Sequence, residues 1–213
     1  ATEVVEGCVQ ERTGVTGSSM AGELAGGVTA VRPREGVVCN VGGILTIAVH
    51  RCWLYGCYGT NHAPTGGAMG YGVPAAIAMK RSAPERTVVA FAGDGDFLMT
   101  GQEFATAVQY ELPIVVVVVD NGMYGTIRMH QERGYPGRVI ATGLKNPDFA
   151  AYARAFGGFG ATVEKTADFA AAFDAARKSG KPAIIHLKVD PDVITPTTTL
   201  SAIRQKALAE QAR

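Results

Sequence analysis

The sequence predicts an α/β protein built on a doubly wound parallel sheet, and three observations carry that expectation. Short apolar runs alternate with segments of helical period along most of the chain, the pattern of successive strand–helix units joined by short loops. One run, Ile114 to Val119, is β-branched throughout with no alternation, as a strand covered on both faces requires. Two of the predicted strands end in acidic or amide residues beside glycine, Gly93-Asp94-Gly95 and Asp120-Asn121-Gly122. The carboxyl edge of an open α/β sheet is where such folds bind ligands.

Residues 1–35 hold neither a helical nor a strand period and read as a linker or the remnant of a preceding domain, which leaves 36–213 as the folded domain. Val37, Val38 and Val41 suggest a first strand, followed by an apolar stretch through Val49 and an aromatic loop around Trp53, Tyr55 and Tyr58. Gly66, Gly67, Gly70 and Gly72 make a loose turn, and Pro74 to Lys80 reads as a helix. A strand over Thr87 to Phe91 leads into a helix with Phe97, Gly101, Phe104 and Val108 on its apolar side. After the Ile114–Val119 strand, Asn146 is placed to cap a helix with Pro147 at its first position, and Phe149, Ala153 and Phe156 share one side. Thr166 is placed to cap the next helix, where Phe169, Ala172, Phe173 and Ala176 recur. Ala183 to Val189 is a last strand, and the tail from Leu200 is a short amphipathic helix.

The bulk properties exclude several classes. A chain of 213 residues with 47% hydrophobic and 18% charged residues has material for one substantial core. A net charge of +1 and no run of Lys and Arg argue against a nucleic-acid partner. The longest apolar stretch is far too short to span a bilayer, and the N-terminus has no basic-then-apolar signal pattern, so a cytoplasmic protein is expected. Cys8, Cys39, Cys52 and Cys57 form no CxxC pair, and His50 and His62 complete no zinc pattern, so free thiols are expected.

The chemistry concentrates at Val88-Val-Ala-Phe-Ala-Gly93-Asp94-Gly95-Asp96, where a buried strand ends in a carboxylate between two glycines and a helix begins at once. Gly93 and Gly95 let the backbone approach a phosphate, and the helix start offers N–H groups and the positive end of its dipole. Asn121 follows the next strand at the same edge, so Asp94 and Asn121 can converge on one metal. Magnesium suits such a pair, because it takes few protein oxygens and completes its octahedron with diphosphate oxygens and water.

These motifs resemble the C-terminal diphosphate-binding domain of the thiamine-diphosphate-dependent acetolactate synthase and 2-oxoacid decarboxylase superfamily. The GDG triplet and Asn121 stand at the family's separation, and Phe97 to Tyr110, Leu112-Pro113, Met69 to Ile77 and Pro147-Asp-Phe149 are similar to the synthase subgroup. The resemblance covers roughly residues 36–205 and implies thiamine diphosphate and Mg2+ as cofactors. It implies Asp94 and Asn121 as metal ligands through their side chains and Met123 through its carbonyl, with Gly93, Gly95, Asp96 and Tyr124 among the cofactor-binding residues. Met69 would be the apolar wedge that bends the cofactor, and the Gly67 carbonyl would accept from its amino group. By itself, Met69 also fits an ordinary core position. His130 stands where synthases often carry a tryptophan lining the substrate channel, although a solvated helix residue is the other reading.

Two departures from the family pattern bear on the site. Gly42-Gly43-Ile44-Leu45 offers no side-chain donors where synthases present polar groups to the diphosphate. Asp96 puts a carboxylate near an anionic diphosphate, which is unfavourable unless it points away or meets the metal's water shell. The expected function is the diphosphate- and magnesium-binding half of a carboligase or decarboxylase acting on a 2-oxoacid such as pyruvate. The activating glutamate would come from a pyrimidine-binding domain in trans, so the isolated chain is expected to be inactive and to associate with itself or with that domain. Two alternatives stand beside it: a cofactor-binding remnant without turnover, and an aspartyl phosphatase suggested by Asp94-Gly-Asp96. The second lacks the hydroxyl or Val expected at Leu98 and a later Lys with an acidic partner.

Overall fold

In the computed structural model, which describes residues 35–41, 57–195 and 198–212, six strands make one parallel sheet. They are β1 (Val37–Cys39), β2 (Asn61–His62), β3 (Val88–Gly93), β4 (Val115–Asp120), β5 (Phe159–Val163) and β6 (Ala183–Lys188). Their order across the sheet is β2-β1-β3-β4-β6-β5, and every pairing is parallel. The doubly wound parallel sheet expected from the sequence is therefore the observed fold. From β1 the connections run first to β2 on one side and then to β3 on the other. The crevice at the carboxyl ends of β1 and β3 is thus the switch point, where open α/β sheets leave room for ligands.

Helices cover both faces. They are α1 (Gly72–Ser82), α2 (Asp94–Thr100), α3 (Phe104–Gln109), α4 (Gly125–Gly134), α5 (Phe149–Ala155), α6 (Thr166–Lys178) and α7 (Leu200–Gln211). Along β3, Val88 packs into one core cluster and Val89 into the other, and β4 divides Val116 and Val117 in the same way. This period-2 division leaves no polar position on either face, which explains the unbroken β-branched run. On one side Phe169 and Phe173 of α6 stack on the sheet, and on the other Phe97, Phe104 and Phe149 are buried. Burial of each such ring stabilises the fold by about 1.5–3 kcal/mol. A short antiparallel hairpin, β7 (Val193–Thr195) with β8 (Thr198–Thr199), leads into α7.

Several sequence expectations need correction. The helix expected across Phe97 to Val108 is two helices separated by a 3-10 turn at Gly101–Glu103. At Gly101 a Cβ would lie 2.6 Å from the Phe97 ring, so close packing decides the break where periodicity reads continuity. Asn146 is not a cap: Asp148 is, accepting from Ala150 N and Ala151 N, and the helix begins at Phe149. Thr166 lies inside its helix, behind Lys165, whose side chain makes no cap bond. Strands β2, β5, β7 and β8 had no sequence reading as elements, and α4 was read only as the alternative, helical setting of His130. The expectations for residues 1–34, for Cys8, Cys52 and His50, for Gly42-Gly43-Ile44-Leu45, and for Val49, Trp53 and Tyr55 lie outside the described residues. Cys39 is a buried free thiol, its pKa pushed up to about 12 by burial, and Cys57 is exposed and free. Among the described residues no helix is long and apolar enough to cross a membrane.

Candidate functional site at the carboxyl edge of β3 and β4

Strands β3 and β4 are neighbours at the centre of the sheet, and their last residues deliver Asp94 and Asp120 to the same edge. Both carboxylates are buried, yet their surroundings differ. Asp94 Oδ1 accepts from Gly95 N at 2.8 Å, and Oδ2 accepts from Gly122 N at 2.8 Å and Asn146 Nδ2 at 2.7 Å. All three donors are neutral, and among the described residues Asp94 has no ion pair. Burial raises its pKa, aided by the charge of Asp120, and the hydrogen bonds do not offset this. Asp120 instead binds His186 Nε2 at 2.8 Å and Lys188 Nζ at 3.0 Å through Oδ2. Burial acts on it in the same direction, but the bonds from His186, Lys188 and Asn146 outweigh that and hold its pKa below the ordinary carboxylate value.

Asn146 links the two carboxylates. Its Nδ2 donates to Asp94 Oδ2 and to Asp120 Oδ1, both at 2.7 Å, while its Oδ1 is buried without a hydrogen-bond partner. His186 accepts from Phe149 N at 3.3 Å through Nδ1, which leaves the proton on Nε2 for Asp120. The sequence reading missed Asn146, Asp120, His186 and Lys188 as site residues. A histidine inside a buried apolar run, Ile184-Ile185-His186-Leu187, was the available signal that a polar partner lies opposite.

The loop after β4 is held open by its own turn chemistry. Asn121 Oδ1 accepts from Met123 N at 3.2 Å, and Gly122 sits at φ +70°, a conformation suited to glycine. A returning segment pins this loop: Tyr124 N donates to Thr142 O at 2.9 Å and Leu144 N to Gly122 O at 2.8 Å. The Tyr124 ring lies over Gly95, where a Cβ would meet it at 2.5 Å, so packing requires glycine there. Gly93 is different. It has an ordinary φ of −69°, and an added Cβ would meet no atom within 4 Å. Neither the backbone nor the described neighbours require glycine at Gly93, whereas a ligand pressed on the strand end would.

The other expected residues lie around this edge. Gly67, at φ +65°, and Met69, 38% exposed, belong to the turn before α1. Met69 is therefore partly open to solvent rather than enclosed in the core. Asp96 is buried, but its carboxylate is turned to Gly70 N at 2.5 Å, and burial pushes its pKa up to about 6. His130 is exposed on α4. The oxygens of Asp94, Asn121 and Met123 are hard donors of the kind magnesium takes. A divalent cation would supply the charge that Asp94 lacks. No group of three or more His, Cys, Asp and Glu among the described residues could hold a metal, so a cation at this edge would need oxygens from a ligand as well.

Comparison with known proteins gives a family and a fold. Residues 41–187 match the family model of the thiamine pyrophosphate enzyme C-terminal TPP binding domain. The acetolactate synthase isozyme 2 large subunit of Escherichia coli is 37% identical over 125 residues, 58% of this chain and 23% of that protein. The acetolactate synthase large subunit of Corynebacterium glutamicum is 37% identical over 132 residues, 59% of this chain and 21% of that protein. Among solved structures, the thiamine diphosphate-dependent 4-hydroxybenzoylformate decarboxylase of Rhodococcus jostii superposes with a TM-score of 0.75 at 26% identity. That match covers 83% of this chain and 33% of the decarboxylase. The chain thus spans about a fifth to a quarter of the length of the curated relatives it matches.

Proposed function

The chain belongs to the thiamine pyrophosphate enzyme C-terminal TPP binding domain family, and on that premise we propose that it holds the diphosphate and magnesium end of thiamine diphosphate in an acetolactate synthase-like carboligase or 2-oxoacid decarboxylase. The observation that carries this reading is Asp94, a buried carboxylate with only neutral donors, standing beside a Gly93 whose open face nothing in the described protein fills. Asp94 and Asn121 bind the magnesium through side-chain oxygens and Met123 through its carbonyl. Gly93 and Gly95 bring main-chain N–H groups to the diphosphate, which Tyr124 borders.

Residues 36–213 act as this cofactor domain, and residues 1–35 link it to what precedes. Met69 supports the bent cofactor from the turn before α1, and the Gly67 carbonyl accepts from its amino group. Bound there, thiamine diphosphate supplies the nucleophilic carbon and the electron sink for loss of carbon dioxide from a 2-oxoacid such as pyruvate. This chain's residues orient the cofactor, neutralise its diphosphate through the metal, and shield the reacting end from water. His130 borders the substrate channel. The glutamate that activates the cofactor comes from a pyrimidine-binding domain docked in trans, and the complete enzyme is a cytoplasmic oligomer. By itself the 213-residue chain is inactive.

Calorimetric titration tests the reading. Thiamine diphosphate should bind the chain only with magnesium present, and neither Asp94→Ala nor Asn121→Ala should bind it. Equal affinity in the chain and both variants would reject the site. Pyruvate decarboxylation by the chain alone would reject the need for a partner domain. Tight binding with no turnover, even when a pyrimidine-binding domain is supplied, would mark a cofactor-holding remnant.

A further inference from the structure

We propose that Asp96 and Thr100 form a positioning pair that fixes the Met69-bearing turn against α2, an inference that rests on the cofactor reading above. Asp96 accepts from Gly70 N at 2.5 Å, and Thr100 Oγ1 donates to Gly70 O at 2.8 Å. The two residues are one helical turn apart, so one face of α2 holds both main-chain polar atoms of a single residue far earlier in the chain.

Gly70 is where such a clamp matters. It sits at φ +84°, and an added Cβ would meet Thr100 Cγ2 at 3.1 Å and Met99 Cβ at 3.4 Å. Its neighbour Met69 is 38% exposed and is absent from both core clusters, so core packing does not hold its side chain. The direction of Met69 is set instead by the main chain it stands on, and that main chain is fastened at Gly70. A wedge that bends a cofactor must resist being pushed back, which an unfastened glycine turn would not do.

The same contact explains why a carboxylate is tolerated beside a diphosphate. The Asp96 carboxylate is committed to Gly70 N, on the turn, and not to the phosphate-binding strand end. A serine hydroxyl is one atom shorter and would leave Gly70 N and the buried helix face apart. Asp96 thereby couples two segments that share the cofactor: the helix that starts at the diphosphate and the turn that carries the wedge.

Amide exchange at Gly70 in the 15N-labelled chain, without metal or cofactor, tests the clamp directly. Asp96→Ala should speed exchange of the Gly70 N–H about ten- to a hundredfold, as loss of a hydrogen bond to a charged group does. Asp96→Asn keeps an oxygen acceptor without the charge and should fall between the starting rate and that of Asp96→Ala, and Asp96→Ser, which keeps a polar side chain without the reach, should follow Asp96→Ala. Unchanged Gly70 exchange in the Ala and Ser variants overturns the proposal. The second readout is the Met69 methyl resonance in methyl-13C-methionine-labelled chain titrated with thiamine diphosphate and magnesium. It should shift in the starting protein and in Asp96→Asn and shift less in Asp96→Ala. A Gly70 response combined with a Met69 methyl that ignores bound cofactor would overturn the wedge reading, while the clamp would stand.

Discussion

Two buried carboxylates in this molecule, Glu132 on α4 and Asp94 at the end of β3, are both almost fully removed from water and have opposite electrostatic fates. Glu132 is surrounded by positive charge. Arg204 of α7 grips it with Nε at 2.8 Å and Nη2 at 2.6 Å, Arg128 reaches it at 2.6 Å, and Gly137 N donates at 2.8 Å. The Arg204 bonds, foremost, draw its pKa down to about 2. Asp94 has three neutral donors and, among the described residues, no cation, and its pKa moves up. A closed ion cluster such as that of Glu132 holds two helices together and has no use for a further ligand. An open one such as that of Asp94 costs stability while it has no cation, the pattern expected of a candidate site rather than of a strut.

Removing a charge from each cluster should break this comparison in opposite ways. The largest effect is expected from Glu132→Gln, which leaves the buried Arg128 guanidinium short of its partner. It should cost about 3–5 kcal/mol in urea unfolding while leaving magnesium-dependent cofactor affinity unchanged. Asp94→Ala is expected to keep the fold. It should lose the ligand-linked stabilisation that the unaltered chain gains, about 2.7 kcal/mol when the cofactor is at a hundred times its dissociation constant. Thermal unfolding with and without thiamine diphosphate and magnesium reads that difference. If Asp94→Ala retains the stabilisation, the distinction between strut and site fails.

Smaller changes sharpen it. Asn146→Ala removes the amide between Asp94 and Asp120 and should weaken cofactor binding by about 1–1.5 kcal/mol, roughly a tenfold change, measured by titration. The pH dependence has a definite sign for Glu132. Its folded pKa of about 2 lies below the ordinary 4.5, so its stabilisation is full above pH 4.5 and is lost as pH falls through 2. Glu132→Gln should flatten that acid limb of a stability–pH curve; an unchanged limb would contradict the assignment. The least effect belongs to an exposed pair: Lys178→Ala, which leaves Asp174 on α6 with Arg177 alone, should change stability by less than about 0.5 kcal/mol.

The site was partly legible because its main signal is local. Gly93-Asp94-Gly95 and Asn121 announce themselves through the residues beside them, each at the end of an apolar run. Asn146 was misread for the opposite reason. Asn146-Pro147-Asp148 offers two capping residues, and only the position of α5 beside β6 decides that Asp148 caps while Asn146 turns inward to Asp94 and Asp120. Strand β5 escaped notice because it lies at the sheet's edge, half-buried, with Gly160 pressed on the Ala150 main chain, where no apolar run is needed.

The sequence by itself determined the layer architecture and which sheet edge is the candidate site, because both follow from short-range pattern: period-2 burial, helical spacing and glycine beside carboxylate. Tertiary structure alone decided which groups surround the carboxylates of that edge. Asp120 is calmed by His186 and Lys188, 66 and 68 residues away in the chain, whereas Asp94, 28 residues from Gly122 and 52 from Asn146, has only neutral hydrogen-bond donors among the described residues. Whether a buried carboxylate finds a cation depends on which strand lies beside it. Strand order is settled by how the whole sheet buries its apolar faces, and no local run of residues encodes it.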